Sequence, residues 1–191
     1  MFKKRVPLYV ALVHYPVLNR RGEIIASAVT NLDLHDLARA SCTYDIPICY
    51  IVTPLKDQQI LTKRLTDHWC KRIGKDLHPD RELALRRLRV VDDIPSVLKD
   101  IEGEWGQRPR IWATTARTDV ESLSHGDARR YLEKDSGPVL LLLGTGWGLA
   151  PSVMREVDDI LEAIQGKAAY NHLSVRCAAA ILMDRLLSLD R

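Results

Sequence analysis

The chain has 191 residues, 28 of them basic and 25 acidic, for a formal net charge of +3. This length supports one domain, taken as residues 1–191, with a core large enough to need no disulfide or metal staple. The near-balanced charge argues against a strongly basic nucleic-acid-binding tail but leaves a local basic face open.

No stretch approaches the roughly 20 apolar residues of a membrane span, so none is expected. Met1-Phe2-Lys3-Lys4-Arg5 is not followed by the long apolar run of a secretory leader. Cys42, Cys49, Cys70 and Cys177 form no C-x-x-C pair, and the six histidines show no metal-ligand spacing. Reduced thiols, no metal and a cytoplasmic location are the expectation.

In chain order, Leu8 to His14 reads as a strand and the polar Tyr15 to Glu23 as a loop. Leu32 to Tyr44 has helical spacing at Leu34, Leu37, Ala38 and Ser41, with Asn31 as the N-cap. Ile46 to Thr53 reads as a second strand, and Asp57 to Ile73 as an amphipathic helix with Leu61, Leu65 and Trp69 on one stripe. Leu88 to Val91 is a short strand, Ile94 to Trp105 a helix, and Arg110 to Thr115 a strand. Ser124 and Asp127 form a capping box opening a helix to about Lys134. An apolar strand from Val139, a short strand around Ile160 and a helix from Ser174 to Leu189 complete the chain. Alternating strands and helices predict an α/β fold with a mainly parallel sheet and helices on both faces.

The densest signal is Val139-Leu140-Leu141-Leu142-Leu143-Gly144-Thr145-Gly146-Trp147-Gly148-Leu149. An all-apolar strand suits the centre of a parallel sheet. A glycine loop at the carboxyl end of such a strand is where open α/β sheets hold nucleotides. Glycines without Cβ let backbone approach a ligand closely, and Gly146→Val is expected to abolish binding with little loss of fold. Only 47 residues follow Gly144, too few for the several βα units of an ordinary dinucleotide fold. Glu162, 18 residues on, nevertheless mimics the ribose-binding acid of such a site. A dinucleotide-dependent oxidoreductase is therefore kept as an alternative.

Gly144 to Leu149, together with Asn171-His172-Leu173-Ser174-Val175-Arg176 and the helix start Cys177-Ala178-Ala179-Ala180, resembles the C-terminal signature of the SPOUT RNA methyltransferases. The likeness extends to Asn31-Leu32-Asp33-Leu34-His35-Asp36-Leu37-Ala38-Arg39 and to Thr114-Thr115-Ala116-Arg117. It points to a small bacterial subfamily found alone or fused to tRNA guanine-N1 methyltransferase. The resemblance implies a C-terminal trefoil knot, a homodimer built through the last helix, and S-adenosylmethionine as cofactor. It also implies an RNA substrate, tRNA foremost. The implied cofactor site is three loops: Thr114 and Thr115; Leu143, Gly144, Thr145, Gly146, Gly148 and Leu149; and Ile164, Asn171, Leu173 and Ser174.

Methyl transfer from a sulfonium asks mainly for a positioned acceptor and, for some acceptors, a proton taken away. Arg21 and Arg39 are the candidates for holding phosphate or acceptor, because a guanidinium stays charged and forks onto phosphate. His35, one turn before Arg39, is the candidate base. Arg117 and His172 stand next in line. The Asn-Pro-x-Asn-x-Gly loop of 2′-O enzymes and the acid–arginine pair of guanine-N1 enzymes are absent from the sequence. A cofactor-binding module that assists another RNA enzyme is a further alternative.

Overall fold

The computed structural model describes residues 6–73, 77–134, 137–168 and 170–189. Its centre is a six-stranded sheet. The strands are β1 (Leu8–Val13), β4 (Cys49–Val52), β5 (Leu88–Val91), β6 (Arg110–Ala113), β7 (Val139–Gly144) and β8 (Asp159–Ile160). Their spatial order is β5-β4-β1-β7-β6-β8, and every neighbouring pair is parallel. β1 and β7 sit centrally and pair from Leu8↔Val139 to Val13↔Gly144. Both are apolar on both faces, as burial on both faces demands.

One face of the sheet carries α1 (Asn31–Thr43), α5 (His125–Leu132) and α7 (Val175–Leu187). These pack Leu34, Leu37, Leu132, Leu182 and Leu186 against Val10, Leu12 and Leu141. The other face carries α4 (Ile94–Trp105) and the short α6 (Pro151–Met154), with Val97, Ile101 and Val153 over Ala11, Val13 and Leu142. The two-faced arrangement expected from the sequence is thus present. The connection from β4 to β5 holds α2 (Lys56–Asp67), one π-helical turn at His68–Ile73, and α3 (Pro79–Leu85).

Three readings need correction. The cap of α1 is Thr30, whose backbone is extended and whose hydroxyl accepts from Asp33 N at 3.1 Å while donating to the Asp33 carboxylate at 2.6 Å. Asn31 is the first residue inside the helix, and it is exposed. The segment Tyr15 to Glu23, expected as a loop, holds β2 (Val17–Leu18) and the turn of a hairpin whose second strand, β3 (Ile24–Ile25), follows it; the Asn19 side chain holds the turn. The long amphipathic helix ends at Asp67, and its last turn is π-helical. The basic triplet Lys3-Lys4-Arg5 lies outside the described residues.

Candidate functional site

All the strands of the sheet run the same way, so their carboxyl ends share one edge, and the chain's glycine loop emerges there beside β1. The loop does not stand free. Leu18 N donates to Gly148 O and Trp147 N to Leu18 O, each at 2.9 Å, and Ala150 N donates to Pro16 O at 3.1 Å. Val17 and Leu149 form an antiparallel bridge. The hairpin therefore clamps the loop as an added strand.

This changes the role of two glycines. A Cβ on Gly146 would lie 2.7 Å from Leu18 O, and one on Gly144 would lie 2.8 Å from Leu149 N. Their missing side chains admit the protein's own backbone. Gly146→Val would consequently damage the local fold, contrary to the expectation from sequence. Gly148 differs: its φ is +102° and a Cβ there would meet nothing within 4 Å. The open space expected against a ligand exists at Gly148.

Beneath the loop lies a part-buried polar chain. His14 Nδ1 is 2.9 Å from Ser27 Oγ, which is 2.5 Å from Thr145 Oγ1, and Thr145 Oγ1 donates to Val13 O at 3.0 Å. Ser27 N also donates to His14 O at 2.8 Å. His14 is wholly buried, and burial pushes its pKa down to about 4, with the Asp33 carboxylate opposing the shift. The imidazole is thus a neutral strut at ordinary pH. Sequence reasoning passed over His14 and Ser27. The available signal was a histidine ending an otherwise apolar strand at the site edge of the sheet.

The second loop leaves β6. Thr114 Oγ1 donates to Leu142 O at 3.1 Å, and Thr115 Oγ1 accepts from Arg117 N at 3.1 Å. Both hydroxyls shape the loop. Arg117 is exposed and paired with Asp119 at 2.7 Å.

The third loop, 164–174, is tied to the second by Asn171 Nδ2, which donates to Ala116 O at 3.3 Å. Among the described residues, no backbone N–H from Ile164 to Leu173 donates to a protein acceptor. Ser174 spends its hydroxyl capping α7 through Cys177 N at 3.3 Å. Tyr170 and His172 stack edge to face at a centroid distance of 5.4 Å, and Leu173 is exposed. Leu143 and Leu149 are buried, so only their backbone can reach a ligand; Ile164 packs against the core.

Arg176, just inside α7, reaches α1: its Nε lies 3.2 Å from Asp33 Oδ1 and its Nη1 3.0 Å from Asp36 Oδ2. This clasp fixes the third loop against the start of α1. Glu162 is occupied as well: its carboxylate accepts the His125 backbone N–H at the start of α5, at 2.8 Å. It closes a helix terminus and does not stand free for a ribose.

Arg21 is exposed at the tip of the hairpin whose strands clamp the glycine loop. His35 and Arg39 lie together but elsewhere, on a groove between α1, α2 and the π-helical turn. The His35 ring meets the Trp69 edge at 5.7 Å. Burial lowers its pKa, reinforced by the Arg81 and Arg39 charges and opposed by Asp36. No residue of the three loops lines this groove.

S-adenosylmethionine joins an adenine and ribose to a charged amino-acid tail, and it suits a site rich in free backbone donors. The described residues of 164–173 leave their amides bare, beside the open face at Gly148 and the exposed apolar Leu173.

A family model described as SAM-dependent RNA methyltransferase matches residues 7–188. A tRNA (guanine-N(1)-)-methyltransferase of Oleidesulfovibrio alaskensis is 47% identical over 180 residues, which cover 94% of this chain and 42% of that protein. The chain thus spans about two-fifths of the length of that relative. An uncharacterized protein of Aquifex aeolicus is 38% identical over 96% of this chain and 90% of its own length. Among solved structures, a "Probable Methyltransferase from Bordetella pertussis Tohama I" aligns with a TM-score of 0.63 at 18% identity, covering 95% of this chain and 94% of that one. The TrmH/SpoU tRNA modifying enzyme of A. aeolicus aligns with a TM-score of 0.56 at 14% identity, over 97% and 76% of the two chains. At these identities the structures establish the SPOUT-type fold.

Proposed function

The chain belongs to the S-adenosylmethionine-dependent RNA methyltransferase family, and from that premise we propose that its three gathered loops bind the cofactor and that its RNA substrate is a tRNA. The observation that carries the site is the meeting of three loops at one sheet edge, with an open face at Gly148 and, among the described residues of 164–173, unspent amides. S-adenosylmethionine supplies, when bound, a methyl group already activated by its sulfonium. The chain's part is placement. Backbone groups of Thr114, Thr115, Leu143, Gly144, Thr145, Gly146, Gly148, Leu149, Ile164, Asn171, Leu173 and Ser174 frame the cofactor. The His14–Ser27–Thr145 chain holds the glycine loop in register. Arg21, on the hairpin that grips this loop, steadies the acceptor strand by its phosphate.

tRNA as substrate is supported by the named relative, although the match covers under half of it.

A homodimer with the site near its boundary completes the reading, along with the C-terminal knot. The face of α7 bearing Ala179, Leu182, Met183 and Leu186 is buried within the protomer. A partner would use the narrower strip of Cys177, Ala180 and Ile181, and the exposed Ile24, Trp147 and Leu173. A closed twofold pair is the commonest soluble assembly. Light scattering at micromolar concentration should give twice the protomer mass; a monomer there removes the dimer from the reading.

The deciding experiment is transfer of tritiated methyl from labelled S-adenosylmethionine into total RNA of a strain lacking the protein, followed by nucleoside analysis. One methylated nucleoside confined to the tRNA fraction is expected. Label confined to ribosomal RNA overturns tRNA as substrate. Calorimetry should show binding of S-adenosylmethionine or its demethylated product and none of NAD; the reverse overturns the assigned site.

A further inference from the structure

Nine arginines among the described residues hold carboxylates: 86, 87, 89, 108, 110, 117, 129, 130 and 176. Arg39, Arg64 and Arg81 hold none, and all three line one groove of about 590 Å³ between α1, α2, the π-helical turn and α3. Among the described residues, no Asp or Glu lines that groove. Its floor is Trp69, which Arg81 covers at 4.3 Å and which the rings of His35, His68 and His78 meet at 5.6–5.8 Å.

Three guanidiniums without a carboxylate partner, brought from α1, α2 and α3 onto one groove, present a site for an external polyanion. The position is suggestive. Arg39 lies two turns down α1 from Asn31, about 12 Å at the usual rise. Asn31 lines the groove. It follows the Thr30 cap, three residues after Ser27, which is bonded to Thr145 in the glycine loop. A strand lying in the groove would therefore lead along α1 to the sheet edge that holds the three loops.

We infer that this groove binds the phosphate backbone of the RNA substrate, with Arg39 and Arg64 as the main phosphate contacts and Trp69 with Arg81 as a rigid apolar floor. The inference rests on the methyltransferase reading for its choice of RNA as polyanion. A second copy of the chain is a poorer occupant, because a twofold contact would bring two sets of three guanidiniums together. The groove takes RNA by charge and shape, since the Trp69 face is already covered by Arg81 and has no room for a stacked base. His35 and Arg39 thereby become RNA-binding residues, and methyl transfer takes place beyond the end of the groove.

The test is direct binding, separate from turnover. Fluorescently labelled bulk tRNA is titrated with the full chain and with an Arg39→Ala/Arg64→Ala variant at several salt concentrations. The variant should bind at least tenfold more weakly at low salt. The slope of log affinity against log salt should shrink by about 1.5, the loss of two phosphate contacts. Lys99→Ala, on α4 across the sheet, should bind as the parent does. Calorimetry with S-adenosylhomocysteine should give the parent affinity for the double variant, which shows that the loops are intact.

If the double variant binds tRNA like the parent, the inference is overturned while the methyltransferase reading stands. If its RNA affinity is unchanged but its oligomeric state shifts, the groove is a protein contact and the inference is overturned. If the groove variants weaken RNA binding but the parent never methylates RNA, the inference stands and the activity falls. A parent that neither binds nor methylates RNA removes both.

Discussion

His14 occupies a completely enclosed position, and its Nε2 has no hydrogen-bond partner among the described residues. Protonation there would bury a cation, so the folded chain holds the imidazole neutral, with a pKa near 4 against the ordinary 6.5. The unfolded chain takes up its proton first as pH falls. The associated stability is complete above pH 6.5, erodes through the interval, and has been lost below about 4. Its size is on the order of 3 kcal/mol. His14→Asn, which can keep a bond to Ser27 without titrating, should be less stable at neutral pH. The gap to the parent in thermal melting should narrow as the buffer is taken from pH 7 to 4.5. A gap of constant width would show that His14 does not titrate in the fold. The glycines separate by the same reasoning from what surrounds them. Gly146→Ala should lower both melting temperature and S-adenosylmethionine affinity, because its Cβ presses on the Leu18 carbonyl. Gly148→Ala should cost about 1–2 kcal/mol of backbone strain at φ +102° without a clash, and should lose cofactor affinity out of proportion to that cost. Calorimetry beside a melting curve distinguishes the two.

At the level of elements, the Arg176 clasp joins the beginning of α7 to the beginning of α1. Asp33 is nearly buried, so Arg176→Ala would leave its carboxylate with only the Thr30 hydroxyl and the helix N-terminus. A loss of about 2 kcal/mol in urea unfolding is expected. Asp33→Asn should absorb most of it in a double-mutant cycle. Thr30→Ala should cost about 1 kcal/mol by removing the cap. β1, β7 and α7 were readable in the sequence because each carries a long, unambiguous apolar pattern. The hairpin was not: its strands have two residues each, too short for any periodicity, and they are ordered by docking on the glycine loop about 130 residues away. The cap of α1 was misread by one position because Thr30 and Asn31 are both good caps, and only the Asp33 contact decides between them. The glycines stood out, but not what each one faced. His35 and Arg39 were seen to share a helix face; that this face turns to Trp69 depends on a π-helical turn with no local signature.

Across the whole molecule, the parallel sheet sets a polarity. Its carboxyl edge gathers the hairpin, the His14 chain and the three loops, while the opposite edge receives the start of β1 and the end of α7. Val6 N donates to Leu132 O at 2.9 Å, and Arg129 donates to Ser188 O at 2.6 Å, so the two described ends of the chain converge on the last turns of α5. The region of likeness in the longer Oleidesulfovibrio relative makes up less than half of that protein, and this geometry accommodates such a context. A neighbouring module tethered at either end would hang from the blunt pole of the unit, a full sheet-length from the three loops. A fluorescent protein attached at either terminus should therefore leave S-adenosylmethionine affinity at the parent value, as calorimetry on both fusions can establish. The same tether inserted at the hairpin tip, between Arg20 and Arg21, should abolish it.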